Sequence, residues 1–456
     1  MQAIDKGIGY LGASALFLVL SGCAVDRYDA RPVSIDAISD NLAARSLTTG
    51  DIRDCAAKHW PPATWNLNSL TTAAFCLNTD IEAARRKLDT TVAAVTTAAQ
   101  RPNPVLQVPL QKTLNPADSQ SPWTLGLALD FSVETAGKRD LRMAAANVNV
   151  TAARLNVASV AWGVRSQLRS LLLVLWFSSE RARLLQKQLE FDERLERLLE
   201  HRVAIGYTSA LELNQQRHAL AQARKNAVAV LRDAVEVKVK IASLVGARTS
   251  AFESIGFDVA GFSTRPSPVP DEGIRLNALR NRADILSGLV EYEASQAALQ
   301  LEVAKQYPDL HLGPGYTLDQ GARKIGLSFS GLELPIFNQN QGAIAEARAR
   351  RLEAEAKVRQ IVAKVFMETD LATAAYDASR TSLSNAQAQL HLAGRRLAAA
   401  HASLSAGEDD QVLFLSAEKS EVESQLTLLD ATLQMQQAIG QIEDAMQLPL
   451  SEPTPE

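Results

Sequence analysis

Two stretches of this chain run for about 65 residues each without a proline. The first extends from Lys138 to Val203 and contains one glycine, Gly163; the second extends from Ala343 to Ser405 and contains only Gly394. In the first, Leu141, Val148 and Leu155 fall seven apart, as do Leu184, Phe191 and Leu198. Leu168, Leu171 and Leu175 keep the three–four step, so the pattern is a coiled-coil seam. At 1.5 Å per residue, such a helix reaches about 100 Å. No compact domain needs that length. The run Leu171–Phe177 (LLLVLWF) is apolar all round but too short to cross a bilayer, and reads as a buried packing node. Ala, Leu, Gln, Glu and Arg crowd the middle of the chain, with aromatics at 5%, which suits long helices.

The chain is written twice. Asp80-Ile81 opens a helical stretch that ends at Pro104-Val105-Leu106, and Asp284-Ile285 opens another that ends at Pro308-Asp309-Leu310. Leu129–Val133 recurs as Leu332–Ile336, and Gly206 with Leu211 and Leu213 recurs as Gly407 with Leu413 and Leu415. Ordered landmarks at a nearly constant offset of about 200 residues indicate a tandem duplication. Each copy reads helix, two strands, long helix, turn, helix. The expected organisation is a leader over 1–22, an N-terminal extension over 23–77, repeats over 78–245 and 272–450 joined by a linker over 246–271, and a tail over 451–456.

The strands carry the period-two pattern. In WTLGLALDFSV, Trp123, Leu125, Leu127, Leu129, Phe131 and Val133 are apolar, and the residues between them are small or polar. That suits a wall with lipid on one side and water on the other, with Asp130 on the watery face. The preceding strand alternates through Leu106, Val108 and Leu110. In the second copy, Leu310, Leu312, Tyr316 and Leu318 form one strand and Ile325, Leu327 and Phe329 another. The parity then shifts at Ser330-Gly331 to Leu332, Leu334 and Ile336, which reads as a bulge. Pro314 and Pro335 weaken these strands locally. The count is four strands per chain. The fold class is therefore mostly α, with long antiparallel coiled-coil helices and a small membrane β contribution.

After each long helix comes a glycine turn, Ile205-Gly206-Tyr207 and Ala406-Gly407-Glu408. Glycine at a helix end supplies a left-handed residue, and Ser209 and Asp410 are N-caps for the returning helices. At the N-terminus, Ile8–Leu20 is apolar or small and too short to span a bilayer, so it reads as a signal-peptide core. It ends in Leu20-Ser21-Gly22-Cys23, which resembles the bacterial lipoprotein signal, in which the cysteine receives lipid. With Ala24 following, that resemblance implies sorting to the outer membrane. Cys55 and Cys76 would then lie in an oxidising compartment. They could pair, or remain two separately buried thiols.

Net charge is −4, which gives no basic footprint for nucleic acid. Among the histidines His59, His201, His218, His311, His391 and His401, no pair has metal-ligand spacing. Gly326–Gly331 misses the nucleophile-elbow spacing, and Gly313-Pro314-Gly315 is no phosphate loop. Neither catalysis, a metal site nor a cofactor is expected, so transport energy would come from a partner.

These residues resemble the TolC-like outer-membrane efflux family, in its lipoprotein branch. The resemblance rests on the Cys23 signal, Arg101-Pro102-Asn103-Pro104, Ala136-Gly137-Lys138-Arg139, Arg282-Ala283-Asp284-Ile285, Tyr307-Pro308-Asp309-Leu310, Leu334-Pro335-Ile336-Phe337 and the two glycine turns. It covers about residues 78–450. It implies a homotrimer whose strands share one barrel in outer-membrane lipid and whose helices form a periplasmic tunnel. It also implies a periplasmic adaptor protein and an inner-membrane RND-type pump as partners, with Ile205, Gly206, Tyr207, Ala406, Gly407 and Glu408 as adaptor contacts. The function implied is a passive exit duct of a tripartite efflux system, for small molecules or metal ions. Family members often carry paired aspartates after the second glycine; here Leu413 and Ser416 stand there, while Glu408, Asp409 and Asp410 lie slightly earlier as a candidate pore constriction. The alternatives are a type I protein-secretion outlet and a non-channel structural lipoprotein. Strand arithmetic favours three chains: four strands cannot close a barrel, eight give one filled by side chains, and twelve leave a lumen.

Overall fold

The structure, a computed structural model, describes residues 27–47, 52, 55–56, 60–116, 120–253, 255–263, 273–329, 331–407 and 410–450. Cys23 with its leader, Glu408 and Asp409 lie outside the described residues. Residues up to Ala44 and those from Arg45 onward form two units. The first contains α1 (Ile35–Ala44), which buries none of its residues.

The second unit begins with α2 (Leu67–Leu77) and α3 (Thr79–Ala99), separated by Asn78. The Asn78 side chain accepts from the Asp80 and Ile81 amides, capping α3. Three short or medium strands follow: β1 (Val105–Gln107), β2 (Leu110–Lys112) and β3 (Trp123–Val133). Then come the long α4 (Lys138–Ala204) and the returning α5 (Ala210–Val245). The second half repeats this order with α6 (Ile274–Asn281), α7 (Ala283–Ala304), β4 (Leu310–Asp319), β5 (Ala322–Phe329), α8 (Gln341–Ala406) and α9 (Gln411–Met446). The paired helices match closely in length: 67 and 66 residues for α4 and α8, and 36 each for α5 and α9. The proline-free runs therefore became single helices almost to the residue.

All strands lie in one antiparallel sheet, ordered β1-β3-β4-β5, with β2 also paired to β3. The strand expected through Leu106, Val108 and Leu110 is broken at Val108-Pro109, because proline has no N–H for the ladder. The Pro109 carbonyl still accepts from the Gly126 amide at 2.8 Å. A Cβ on Gly126 would stand 2.7 Å from the Pro109 ring, so glycine permits that approach. The expected continuation through Leu332, Leu334 and Ile336 is not a strand. Phe329 pairs with Leu312, near the start of β4, and Gly331 then turns the chain at φ +82°. Four strand positions result, one of them split. The alternation holds: Trp123 through Val133 are 37–48% exposed at the odd positions, while the even positions are half-buried or buried. Tyr316, Leu318, Ile325 and Phe329 continue the exposed apolar face across β4 and β5.

The Leu171–Phe177 node packs on two sides. Leu172 and Leu175 join α2, α5 and Phe252 in one cluster, while Leu173 and Trp176 meet Leu429 of α9 in another. Successive helical residues are separated by about 100°, so a short all-apolar run can serve two opposite partners. A third cluster, including Tyr376, Met435, Ile439 and Ile442, joins α6, α8 and α9.

Part of the N-terminal extension from Arg45 onward and part of the linker are built into this core. Leu47, Ile52 and Leu70 are buried in the main cluster, and Trp60 Nε1 donates to the Leu47 carbonyl at 2.6 Å. Cys55 and Cys76 are joined, with Cα atoms 5.9 Å apart. The linker also docks: Phe252 is buried, and Phe262 lies 6.5 Å from the Trp176 ring. Among the described residues no helix is long and apolar enough to cross a membrane.

Candidate functional site

The two glycine turns close α4 onto α5 and α8 onto α9. At the first, Gly206 takes φ +75°, its amide donates to the Val203 carbonyl at 3.0 Å, and the Tyr207 amide donates to Arg202 at 2.8 Å. This is a Schellman ending, which needs a left-handed residue at Gly206. Ser209 then caps α5 by accepting from the Glu212 amide. At the second turn, Gly407 takes φ +76° and donates to Leu404, and Asp410 caps α9 by accepting from the Val412 amide. Ile205 and Tyr207 are exposed beside the first glycine, at 63% and 74%. Ala406 is exposed beside the second.

The turns are linked. Arg202, in the last turn of α4, makes a close ion pair with Asp410 and also lies 5.5 Å from the Tyr207 ring centre. The hydrogen bond holds the Asp410 carboxyl below the usual carboxylate range and raises the Arg202 guanidinium. Asp410 therefore carries a cap and an ion pair, and its charge is compensated within the protomer. Leu413 and Ser416 follow Asp410 in the first two turns of α9.

The link at the turns is one rung of a longer series. Going back from the turns, α4 meets α9 through Arg194–Glu418, Asp192–Lys419 and Arg181–Asp430. It then reaches a buried node in which Arg169 Nε and Arg165 Nη1 lie 3.0 and 3.5 Å from Glu443 Oε2. Glu443 is 1% exposed. Burial lowers the Arg169 pKa, and Glu443 acts against that. The Arg169 guanidinium also donates to the Gln436 carbonyl, and Gln436 Nε2 donates to the Phe262 carbonyl, tying in the segment between the halves. Between hairpins, beyond Leu184, the α4–α9 seam is charged, and inside the first hairpin α5 also meets α4 through Arg217 with Glu196 and Glu200 and through Arg224 with Glu193.

Motif residues converge at the base of the sheet. Lys138 Nζ donates to Asp309 Oδ1 at 2.7 Å and to the Tyr307 carbonyl at 2.6 Å, and the Thr135 amide donates to the same carboxylate oxygen at 3.0 Å. Burial works to raise the Asp309 pKa, but Lys138 and the Thr135 amide lower it on balance. Arg139 donates to the Ala99 carbonyl at 2.7 Å, just before the Arg101–Pro104 stretch. Arg282 reaches Asp284, Glu368 and the Ala445 carbonyl. The sequence motifs are thus the anchors where strands enter helices and where the two halves meet. Sequence reading missed Arg202, Asp192, Arg169 and Glu443. Their ion-pair partners lie more than 200 residues away, and only the antiparallel α4–α9 register reveals them.

Comparison with known proteins is consistent with this geometry. Residues 275–446 match the family model for outer membrane efflux protein. The cobalt-zinc-cadmium resistance protein CzcC of Cupriavidus metallidurans is 24% identical over 316 residues, 69% of this chain and 73% of that protein. The pyoverdine export outer membrane protein OpmQ of Pseudomonas aeruginosa is 24% identical over 340 residues, 71% of each chain. Among solved structures, CusC superposes with a TM-score of 0.69 at 17% identity, covering 93% of this chain and 99% of that one. The outer membrane protein VceC of Vibrio cholerae gives 0.67 at 19%, covering 83% and 95%. The fold is that of the TolC-like outer-membrane channels. The match to the outer membrane efflux protein model covers residues 275–446, and the two named relatives are similar to this chain over about 70% of its length.

Proposed function

We propose that three copies of this chain form a passive exit duct in the outer membrane, serving a tripartite efflux system. The observation that carries this is the sheet. It has four strand positions and two open edges, β1/β2 and β5, with an apolar exposed face opposite a polar one. A sheet in lipid must close on itself, since an unpaired edge leaves backbone groups unsatisfied. Pairing β5 of one copy with β1 and β2 of the next removes both edges. Three copies supply twelve strand positions, enough for a water-filled lumen lined by the Thr124–Ser132 face.

In this reading Cys23 carries lipid, and the exposed Ile205-Gly206-Tyr207 and Ala406-Gly407 turns meet a periplasmic adaptor that recruits a proton-driven pump. Asp410 stands at the narrow end in this reading, as a latch to Arg202 rather than a free carboxylate. A type I secretion outlet would share all of these features except the partner. Purified protein in planar bilayers tests the reading. Stepwise, long-lived conductance is expected, and correctly folded protein that never conducts would contradict it.

A further inference from the structure

Four buried carboxylate oxygens lack a hydrogen-bond donor among the described residues: Asp130 Oδ1, Asp192 Oδ2, Glu418 Oε2 and Glu443 Oε2. Three belong to carboxylates with a permanent cation within 4.0 Å, namely Lys419 for Asp192, Arg194 for Glu418, and Arg165 with Arg169 for Glu443. Asp130 is the exception. Among the described residues its ion-pair partner is the imidazole of His311, with Nδ1 at 3.4 Å from Oδ1. An unsatisfied buried carboxylate oxygen is costly and asks for an explanation, of which an ion is one.

The two residues sit on adjacent strands and one face. Ser132 pairs with His311, so Asp130 lies diagonally across from the imidazole, on the polar side of the sheet. The nearby Asp309 is engaged by Lys138 and Thr135 while also lying within electrostatic reach of His311, and Asp130 is the carboxylate in direct ion-pair range of the imidazole. We propose that Asp130 and His311 form a two-ligand contact for divalent transition-metal cations on the lumen wall, repeated once per chain; this rests on the duct reading above. The spacing fits. An imidazole nitrogen and a carboxylate oxygen, each about 2.1 Å from a tetrahedral metal ion, stand about 3.4 Å apart. The hydrogen-bonding pattern fits as well. A metal held by two ligands lies off the line joining them, so the Nδ1 lone pair points beside Oδ1 rather than at it. The absence of a hydrogen bond at this distance agrees with that. Imidazole with carboxylate suits zinc, cobalt or nickel, whereas magnesium prefers an all-oxygen shell. Two protein ligands hold such an ion loosely, as passage through a pore requires.

The test is single-channel current through the purified full chain with zinc chloride added, against magnesium chloride at the same concentration. Zinc is expected to reduce the wild-type current at concentrations where magnesium does not. Asp130→Asn and His311→Gln should each raise the half-blocking zinc concentration by about tenfold or more, with block read against each variant's own metal-free current. Equal block by magnesium, block unchanged in both variants, or no zinc block of wild type overturns the contact and identifies a simple carboxylate–imidazole pair. If wild type never conducts, the duct reading fails instead. Calorimetric zinc titration of the same protein and the double variant then decides the contact: equal heats sink it, and heat lost in the double variant supports it.

Discussion

Breaking the Arg202–Asp410 pair should favour the open duct. Arg202 is 18% exposed at its side chain and Asp410 47%, so the pair is partly screened. An ion pair so placed is worth about 0.5–1 kcal/mol per copy, in the upper part of the range for exposed pairs. If the three ends open together, the total is about 1.5–3 kcal/mol, or roughly 10- to 150-fold in the open-to-closed ratio. Asp410→Asn isolates this effect, because asparagine caps a helix as well as aspartate. Asp410→Ala also removes the cap and should destabilise the α9 start by about a further 1 kcal/mol. Arg202→Gln should match Asp410→Asn, and the double variant should add little, since the two share one interaction. The pH dependence follows from the lowered Asp410 pKa. The stabilisation is fully present above the ordinary carboxylate pKa and is lost as pH falls through the depressed folded value, so neutral and mildly acidic solutions should not open the latch. The assay is open probability in planar bilayers at fixed salt. An open probability unchanged in Asp410→Asn and Arg202→Gln alike would show that the pair does not hold the ends closed.

Three further outcomes are expected. Glu443→Gln leaves the buried Arg165 and Arg169 without their counter-charge and should cost about 3–5 kcal/mol, read as a lower thermal unfolding midpoint by circular dichroism. Gly313→Val should break β3–β4 pairing, because even a Cβ there would stand 1.7 Å from the Leu129 carbonyl oxygen; loss of heat-resistant oligomer on electrophoresis is the readout. Replacing Cys55 and Cys76 by serine opens a link across 21 residues and should lower stability by about 2–4 kcal/mol, measured as thermal unfolding with and without reductant.

The helices were legible because proline-free heptads leave the backbone little else to do: Lys138–Val203 and Ala343–Ser405 each fall short of the observed helix by three residues or fewer. The exposed apolar parity of β3 was legible for a similar reason, since period two is local. The end of β5 was not. Leu332, Leu334 and Ile336 alternate correctly, but pairing depends on β4 still running alongside, and it does not. The break at Pro109 was visible as a proline but not as two strands on one partner. Least legible were the charges. The pairing of Asp410 with Arg202, 208 residues away, is written in neither segment alone. Asp130 and His311 lie 181 positions apart and meet only through the β3–β4 register.

The number of chains in the assembly tests the central claim most directly. Four strand positions per chain cannot enclose a lumen alone, and three chains are the smallest symmetric set that can. Native mass spectrometry of the full-length protein released from detergent should give three chains as the dominant species. A stable monomer or dimer, folded and with its β-structure intact, would contradict the shared barrel and with it the duct.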